Sequence, residues 1–268
     1  GTEVVLRHAV LPNVGSPGMI RQLADAGYRG PISIRVNPGF GHGHVNACDT
    51  GGPSSKHGIW IEDVLRVSNS AAEAGLTVTM LHAHIGSGPQ FPELHENLTR
   101  LALEFKELLP HFPALTAVSL GGGIPHNYRE YGVQVPVDPL RELFATCHNR
   151  LNAAFQQAHH VRGHDLRLEI EPGRYYVAPG CTLVTRVTDI KETQTNEKRA
   201  GATFAMVDAG FVDLVRPAMY GTYHRIDVVG KSDDDPNILT EPMVVAGPLC
   251  ESGDVFTRDD RELLQPRK

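Results

Sequence analysis

The sequence is poor in cysteine and has no surplus of basic residues. Its four cysteines, Cys48, Cys147, Cys181 and Cys250, lie far apart and form no C-x-x-C pair. This spacing favours reduced thiols in a cytoplasmic protein over a disulfide framework. The formal net charge is −6, with 25 lysines and arginines against 31 acidic residues. We therefore expect no nucleic-acid partner and no anionic membrane surface, because basic side chains are needed to neutralise phosphates.

Long apolar runs are also missing. No stretch approaches the roughly 20 consecutive apolar residues that a membrane-spanning helix needs. The remaining composition, 41% hydrophobic and 21% charged, is typical of a globular protein. A chain of 268 residues is long enough to bury a sizeable core as one large domain or two small ones.

Strands and helices alternate in the first two thirds of the chain. Stretches rich in apolar and β-branched residues are each followed by a stretch with apolar residues at helical spacing. The predicted strands are 9–14, 32–37, 77–85, 115–120 and 166–171. The predicted helices are 17–27, 61–75, 92–109 and 138–158. Consecutive βαβ units of this kind predict a parallel α/β sheet.

The pattern changes near residue 178. Residues 181–195 and 203–211 are predicted strands joined by the polar turn "NEKRAG", which fits an antiparallel hairpin, and 243–249 is a further strand. We therefore predict a parallel α/β part over residues 1–178 and a β-rich part over 179–268.

Polar and glycine-rich motifs follow successive predicted strands. They read "PGFGHGH", "HAHIGSG", "GGGIP" and "EPGR" in chain order. In a parallel α/β barrel the carboxyl ends of the strands open on one face, and that face carries the active site. The four motifs therefore predict a single functional site built from strand ends.

Each motif allows more than one chemistry. The backbone amides of Gly121–Gly123 could approach an anion, or the glycines could form a tight turn. Arg174 suits an anionic group and Glu171 a cationic or N–H group, although the two could also pair locally. His82 and His84 are two positions apart and therefore share one face of a strand, as pairs of zinc ligands do in barrel hydrolases.

Taken in order, "HIGSG", "LGGGIP", "EPGR", "RPAMYGTYH" and "GPLCESGD" resemble the fold type III pyridoxal-phosphate decarboxylases. The segment "VNPGFGHGHVNACDTGGPSSKHGIW" is similar to the bacterial diaminopimelate decarboxylases of that family. The resemblance covers essentially the whole chain. It implies a TIM-type (β/α)8 barrel, here from about the fourth strand, followed by part of a β-rich domain. It also implies decarboxylation of meso-2,6-diaminopimelate to L-lysine with pyridoxal 5'-phosphate.

The resemblance assigns the strand-end residues to the cofactor. His84 would stack on the pyridoxal ring, and Glu171 would face the ring nitrogen and keep it protonated, which makes the ring a stronger electron sink. The residues implied around the phosphate and the remaining edge of the cofactor are Ser87, Gly121, Gly122, Gly123, Pro172, Gly173 and Arg174.

The substrate and a dimer interface follow from the same resemblance. The residues implied to grip a diamino dicarboxylic acid are Arg174, Arg216, Tyr220 and Glu251. Cys250 would return a proton to the α carbon after carbon dioxide leaves. The "CESGD" turn would reach into the active site of a second copy in a homodimer, where Lys56 and Asp254 would form an intersubunit ion pair.

One feature of the family is missing from the sequence. The lysine that carries the cofactor lies in an aromatic-Ala-x-Lys-Ala segment at the first barrel strand, and no such segment occurs. The lysines present are Lys56, Lys106, Lys191, Lys198, Lys231 and Lys268. The final tyrosine-bearing segment is missing too. We therefore expect these residues to be part of a longer protein.

Three alternatives stay open on the sequence. The first is a related decarboxylase that acts on ornithine or arginine. The second is a zinc-dependent barrel hydrolase built on His82 and His84, and the third is a non-catalytic homologue, because the cofactor lysine is missing. The preferred interpretation requires no metal.

Overall fold

A computed structural model of the chain describes residues 1–41, 49–87, 90–129, 134–163, 165–198, 200–229, 240–257 and 263–266. The chain divides into two compact units. Unit 1 comprises Gly1–His126 and Gln134–Ala178, and unit 2 comprises Asn127–Val133 and Pro179–Lys268. Cys48, Gly88 and the last three residues of the "PGFGHGH" motif lie outside the described residues.

Unit 1 contains a parallel sheet whose order follows the chain. Its strands are β1 (Asn13–Val14), β2 (Pro31–Asn37), β3 (Ile59–Trp60), β4 (Thr77–His82), β5 (Ala117–Ser119) and β6 (Arg167–Glu169). In the described residues the order is β1-β2-β4-β5-β6, with the short β3 beside β2, and every pair is parallel. The βαβ units predicted from the sequence are therefore confirmed.

Helices precede, connect and follow these strands. They are α1 (Thr2–His8), α2 (Pro17–Asp25), α3 (Val64–Glu73), α4 (Phe91–Leu108), α5 (Val137–His159) and α6 (Arg174–Val177). The start of α4 is fixed by a capping box, in which Glu93 accepts the backbone N–H of Gln90 at 2.9 Å. None of the helices in the described part of the chain is both long and apolar enough to cross a membrane.

The predicted element limits differ from the observed ones mainly at strand 9–14. Only Asn13 and Val14 join the sheet, and Ser33 N–H donates to the carbonyl oxygen of Pro12 at 2.9 Å just before them. Pro12 has no N–H with which to continue the ladder. The first strand is therefore very short.

Helices α4 and α5 bury their apolar faces in unit 1. On α4, Leu94, Leu98, Leu101 and Phe105 recur every three or four residues and are fully buried. The buried Cys147 of α5 places its Sγ 3.9 Å from the carbonyl oxygen of Leu98. Cys147 is thus a packing residue, as expected for a thiol on an apolar helix face.

Unit 2 contains a four-stranded mixed sheet among its described residues. Its strands are β7 (Val187–Glu192), β8 (Thr203–Val207), β9 (Thr240–Ala246) and β10 (Leu263–Pro266), in the order β10-β9-β8-β7. Strands β7 and β8 are antiparallel, which confirms the predicted hairpin, whereas β8 and β9 are parallel. The short helix α7 (Arg216–Tyr220) lies between β8 and β9 in the chain.

Two leucines of α4 give a matched test of this packing. Leu101 is fully buried and Leu103 is 48% exposed. We expect Leu101→Ala to lower the free energy of unfolding by about 2–5 kcal/mol, because it removes buried methyl groups and leaves a cavity. Leu103→Ala should change it by about 0.5 kcal/mol or less. Urea denaturation, monitored by circular dichroism, measures the free energy of unfolding of both variants. Equal losses of this free energy would contradict the packing described.

Candidate functional site

A cavity of about 430 Å³ opens in unit 1 beyond the carboxyl ends of β4, β5 and β6. This volume falls in the range of about 300–1,000 Å³ that is usual for small-molecule sites. The lining residues are His84, Ser87, Gly123, Ile124, Glu171, Pro172, Gly173 and Arg174. The sequence analysis assigns a role to all of these except Ile124, whose apolar side chain follows the glycines.

Parallel pairing brings these residues to one level. Cα of His82 pairs with Ser119, and Ser119 pairs with Glu169. Backbone hydrogen bonds continue past the strand ends, where Ala83 N–H donates to Ser119 O at 3.0 Å and Glu171 N–H donates to Gly121 O at 2.8 Å. The segments after β4, β5 and β6 therefore stay in contact as they leave the sheet.

The three glycines after β5 allow this close approach. A Cβ at Gly122 would overlap the carbonyl oxygen of Glu171, and one at Gly123 would overlap the carbonyl oxygen of Gly86. Gly121 has φ 70°, in the left-handed region that favours glycine. The main reason for glycine at these three positions is therefore the close packing between neighbouring strand ends.

The amides of Gly121 and Gly122 donate within the protein. Gly121 N–H points to Ser119 Oγ at 3.3 Å, and Gly122 N–H donates to His84 Nδ1 at 3.0 Å. Only Gly123 of the three lines the cavity. The arrangement does not support the expectation that all three amides face an anion, because two of them already have acceptors inside the protein.

His84 is held as a neutral imidazole. Because Nδ1 accepts the Gly122 amide, the ring proton lies on Nε2, which donates to Ser87 Oγ at 3.4 Å. Burial, followed by the nearby positive charge of Arg35, lowers the pKa of His84 below its ordinary value. His84 thus presents an uncharged ring at the cavity wall.

His82 connects the cavity to the first strand. Its Nε2 lies 3.0 Å from Glu171 Oε1, and its Nδ1 lies 3.1 Å from Asn13 Nδ2. Burial lowers the pKa of His82, although the charge of Glu171 opposes that effect. We therefore treat the contact with Glu171 as a hydrogen bond from a neutral imidazole and not as an ion pair. The sequence motifs pointed to His82 only as a zinc ligand, and they missed Asn13.

Arg35 is a second residue that the sequence analysis missed. It lies on β2 directly beside His82, with which its Cα is paired. Burial lowers the pKa of Arg35 and the charge of Glu171 opposes this. The signal was present, because a guanidinium in the middle of the apolar stretch "ISIRVN" is unusual and indicates a polar interior nearby.

The two histidines are not arranged as zinc ligands. His82 uses both ring nitrogens toward Asn13 and Glu171, and His84 uses both toward Gly122 and Ser87. The described residues contain no group of three or more His, Cys, Asp or Glu side chains that could hold a metal ion. The geometry therefore gives the hydrolase alternative no ligand set in this part of the chain.

Three of the predicted substrate residues, Arg216, Tyr220 and Glu251, lie in unit 2, and the fourth, Arg174, lines the cavity of unit 1. The guanidinium carbon of Arg216 lies 5.3 Å from the ring centre of Tyr128 and 5.9 Å from that of Tyr220. Its Nε is buried without a hydrogen-bond partner among the described residues. Cys250 and Glu251 are exposed on the turn after β9.

Asp254 is an internal residue of unit 2. It is 3% exposed, its Oδ1 accepts the Phe211 amide at 2.6 Å, and its Oδ2 accepts the Leu249 amide at 2.8 Å. These bonds hold the turn that carries Cys250. They do not support the predicted intersubunit ion pair with the exposed Lys56, because both carboxylate oxygens are already used inside one unit.

Comparison with known proteins adds to this geometry. A model of the family described as "Pyridoxal-dependent decarboxylase, pyridoxal binding domain" matches residues 3–178. Diaminopimelate decarboxylase of Escherichia coli K12 is 39% identical over 262 residues, which cover 95% of this chain and 57% of that protein. The Streptomyces coelicolor enzyme of the same name is 38% identical over 254 residues, which cover 95% of this chain and 54% of that protein. The chain thus spans little more than half the length of these relatives.

Solved structures give the same result for the fold. The match to a crystal structure of diaminopimelate decarboxylase has a TM-score of 0.79 at 36% sequence identity. It covers 99% of this chain and 60% of the chain in that structure. The match to the Helicobacter pylori diaminopimelate decarboxylase, crystallised with L-lysine, has a TM-score of 0.75 at 28% sequence identity. It covers 100% of this chain and 62% of the chain in that structure. The predicted fold class, part of a TIM-type barrel followed by part of a β-rich domain, is confirmed. By its sequence from residue 3 to residue 178 and by its fold, the chain belongs to the pyridoxal-dependent decarboxylase family.

Proposed function

We propose that the whole protein uses pyridoxal 5'-phosphate to decarboxylate meso-2,6-diaminopimelate to L-lysine. The relatives that are 38% and 39% identical carry the name of this enzyme. One of the similar solved structures contains L-lysine, the product of the proposed reaction. Both findings favour this substrate over the others that the family's fold accommodates.

The observation that carries the proposal is the composition of the unit 1 cavity. A carboxylate, a neutral imidazole and a guanidinium, from Glu171, His84 and Arg174, line one space of suitable volume. Pyridoxal 5'-phosphate needs these three partners, namely an acceptor for its ring N–H, a flat face for its ring and positive charge for its phosphate. The residues present therefore fit the cofactor.

Each of these side chains then has a definite task. When bound, pyridoxal 5'-phosphate supplies an electron sink for the electron pair that remains at the α carbon as carbon dioxide leaves. Glu171 holds a proton on the ring nitrogen. His84 packs its uncharged face on the ring, and Ser87, Gly123 and Arg174 lie where they can hold the phosphate.

Unit 2 is proposed to recognise the substrate. The buried Nε of Arg216 has no hydrogen-bond partner among the residues that the structure describes, and together with the aromatic neighbours of this side chain it suits a carboxylate group, which accepts from a guanidinium. Glu251 suits the distal ammonium. Cys250 donates a proton to the α carbon, which restores four bonds there after carbon–carbon cleavage. A homodimer and a cytoplasmic location stay predictions from the sequence.

A substrate panel tests the proposal in the full-length protein. We expect release of carbon dioxide from diaminopimelate to exceed release from ornithine or arginine by at least about 100-fold, because an unmatched buried charge costs several kcal/mol. Preference for ornithine or arginine would favour the related decarboxylases. Cofactor binding without turnover of any amino acid would favour the non-catalytic homologue.

Glu171 gives a sharper prediction about the cofactor. Glu171→Ala in the full-length protein should lower kcat by about 100-fold or more, since it removes the partner of the ring proton. It should weaken cofactor binding by only about tenfold, the value of one charged hydrogen bond. The control is Glu169→Ala. It removes a carboxylate that lies two residues before Glu171 and forms an ion pair with Arg167. Equal losses of turnover and binding in Glu171→Ala would argue for a purely structural role.

Cys250 is predicted to act after bond cleavage. Cys250→Ala should still release carbon dioxide but give less L-lysine per carbon dioxide, because the α carbon lacks its proton donor. Cys181→Ala removes another exposed thiol of unit 2 and should leave this ratio at one. Simultaneous measurement of both products decides the matter. An unchanged ratio in Cys250→Ala removes this thiol from the mechanism.

A further inference from the structure

Three side chains from separate strands form a hydrogen-bonded chain beneath the cavity. Asn13 begins β1, His82 ends β4 and Glu171 follows β6. Asn13 Nδ2 lies 3.1 Å from His82 Nδ1, and His82 Nε2 lies 3.0 Å from Glu171 Oε1. Of the three, only Glu171 lines the cavity. The chain thus links a residue outside the site to the carboxylate inside it.

Donors and acceptors match in one direction along this chain. An amide nitrogen can only donate, so His82 Nδ1 accepts and the ring proton lies on Nε2. Nε2–H then donates to the Glu171 carboxylate, which can only accept. With the Asn13 amide turned around, His82 would either place a lone pair against the carboxylate or carry a second proton. The observed arrangement avoids both.

The surroundings of His82 favour this neutral form. His82 is 3% exposed, and burial is the largest cause of its lowered pKa. The charged groups that act on it are Glu171 and Glu169, which favour a second proton, and Arg35, which opposes one; the neighbouring His84 is itself held neutral. A neutral His82 donates a hydrogen bond but leaves the negative charge of Glu171 for another partner.

Glu171 needs such a restraint. Its side chain is 57% exposed, and Oε1 accepts from His82. A carboxylate on an exposed side chain otherwise loses rotamer freedom when it binds a ligand. The hydrogen bond from His82 holds Oε1 before a ligand binds. It thereby orients Oε2 and reduces the loss of rotamer freedom on binding.

We propose that Asn13 and His82 are positioning residues that hold one oxygen of Glu171 and thereby aim the other at the ring nitrogen of the cofactor. This inference rests on the proposed function, because it takes pyridoxal 5'-phosphate as the ligand of the cavity. It assigns to His82 a task that the metal hypothesis did not consider. It also gives Asn13, outside the cavity, an effect on one atom of the ligand.

Two probes that differ at the ring nitrogen test the proposal by equilibrium binding. The first is pyridoxal 5'-phosphate, and the second is its 1-deaza analogue, which carries C–H in place of the nitrogen and keeps the aldehyde and phosphate. We expect the full-length protein to bind the first about tenfold or more tightly, since a hydrogen bond to a charged group has about that value. Fluorescence titration of the apo form measures both affinities.

Substitutions at His82 separate positioning from packing. His82→Leu should abolish the discrimination between the probes, and His82→Gln should retain most of it, because the glutamine amide can still donate to Glu171. The matched control is His148→Leu, since His148 also donates from Nε2 to an oxygen, the carbonyl of Leu166 at 2.8 Å, but does not line the cavity. His148→Leu should leave the discrimination unchanged.

Asn13 supplies a variant with little risk to folding, because its side chain is exposed. Asn13→Asp replaces the donor by an acceptor and so favours a proton on His82 Nδ1, either in place of the proton on Nε2 or in addition to it. The first form gives Glu171 no donor, and the second pairs its negative charge with an imidazolium, so both weaken its interaction with the ring nitrogen. We expect the discrimination to fall about as far as in His82→Leu. Imidazole ¹⁵N shifts of the apo protein provide a second measurement, with His82 as the Nε2–H tautomer in the wild type and protonated on Nδ1 in Asn13→Asp.

The outcomes distinguish this inference from the proposed function. If the wild-type protein binds neither probe, both the proposed function and the inference are overturned. If it prefers pyridoxal 5'-phosphate but His82→Leu weakens both probes equally, His82 only supports the fold and the inference alone fails. Unchanged discrimination in Asn13→Asp would likewise remove Asn13 from the positioning chain.

Discussion

Parallel pairing of β4, β5 and β6 is the constraint on which the candidate site depends. The three strands end at one level, and the hydrogen bonds between their following segments keep His84, Gly122 and Glu171 in contact. The glycines after β5 make this possible, because a side chain on Gly122 would overlap the backbone of Glu171. Strand register therefore determines where the cavity lies, and the side chains that line it determine its chemistry.

The electrostatics of the site follow from the same arrangement. Arg35, His82, His84 and Glu171 come from neighbouring strands and share a partly buried volume. One guanidinium and one carboxylate balance each other there, and burial keeps both imidazoles neutral. A basic ring nitrogen that enters the cavity thus meets a negative charge that no imidazolium neutralises.

Unit 2 uses a buried carboxylate for a different purpose. Asp254 ties the turn that carries Cys250 to the segment after β8 through the amides of Leu249 and Phe211. The glycines at 210 and 247 leave room for its oxygens. A buried charge with two backbone donors is a means of fixing loop geometry. The exposed thiol is therefore presented by a rigid turn.

Much of the fold and part of the site could be predicted from the sequence. Periodicity identified the alternation from β2 to β6 and the β7–β8 hairpin, because hydrophobic spacing is a local property. The motifs identified His84, Ser87, Glu171 and Arg174, because polar residues directly after apolar strands must gather at one edge of a parallel sheet.

Tertiary structure alone decided how these residues are used. It assigned the amides of Gly121 and Gly122 to partners within the protein, turned Asp254 inward, and brought Asn13 to a histidine 69 positions away. Each of these results depends on which groups meet across strands that are distant in sequence. Local pattern specifies which residues reach the sheet edge, and the three-dimensional register specifies their hydrogen-bond partners and protonation.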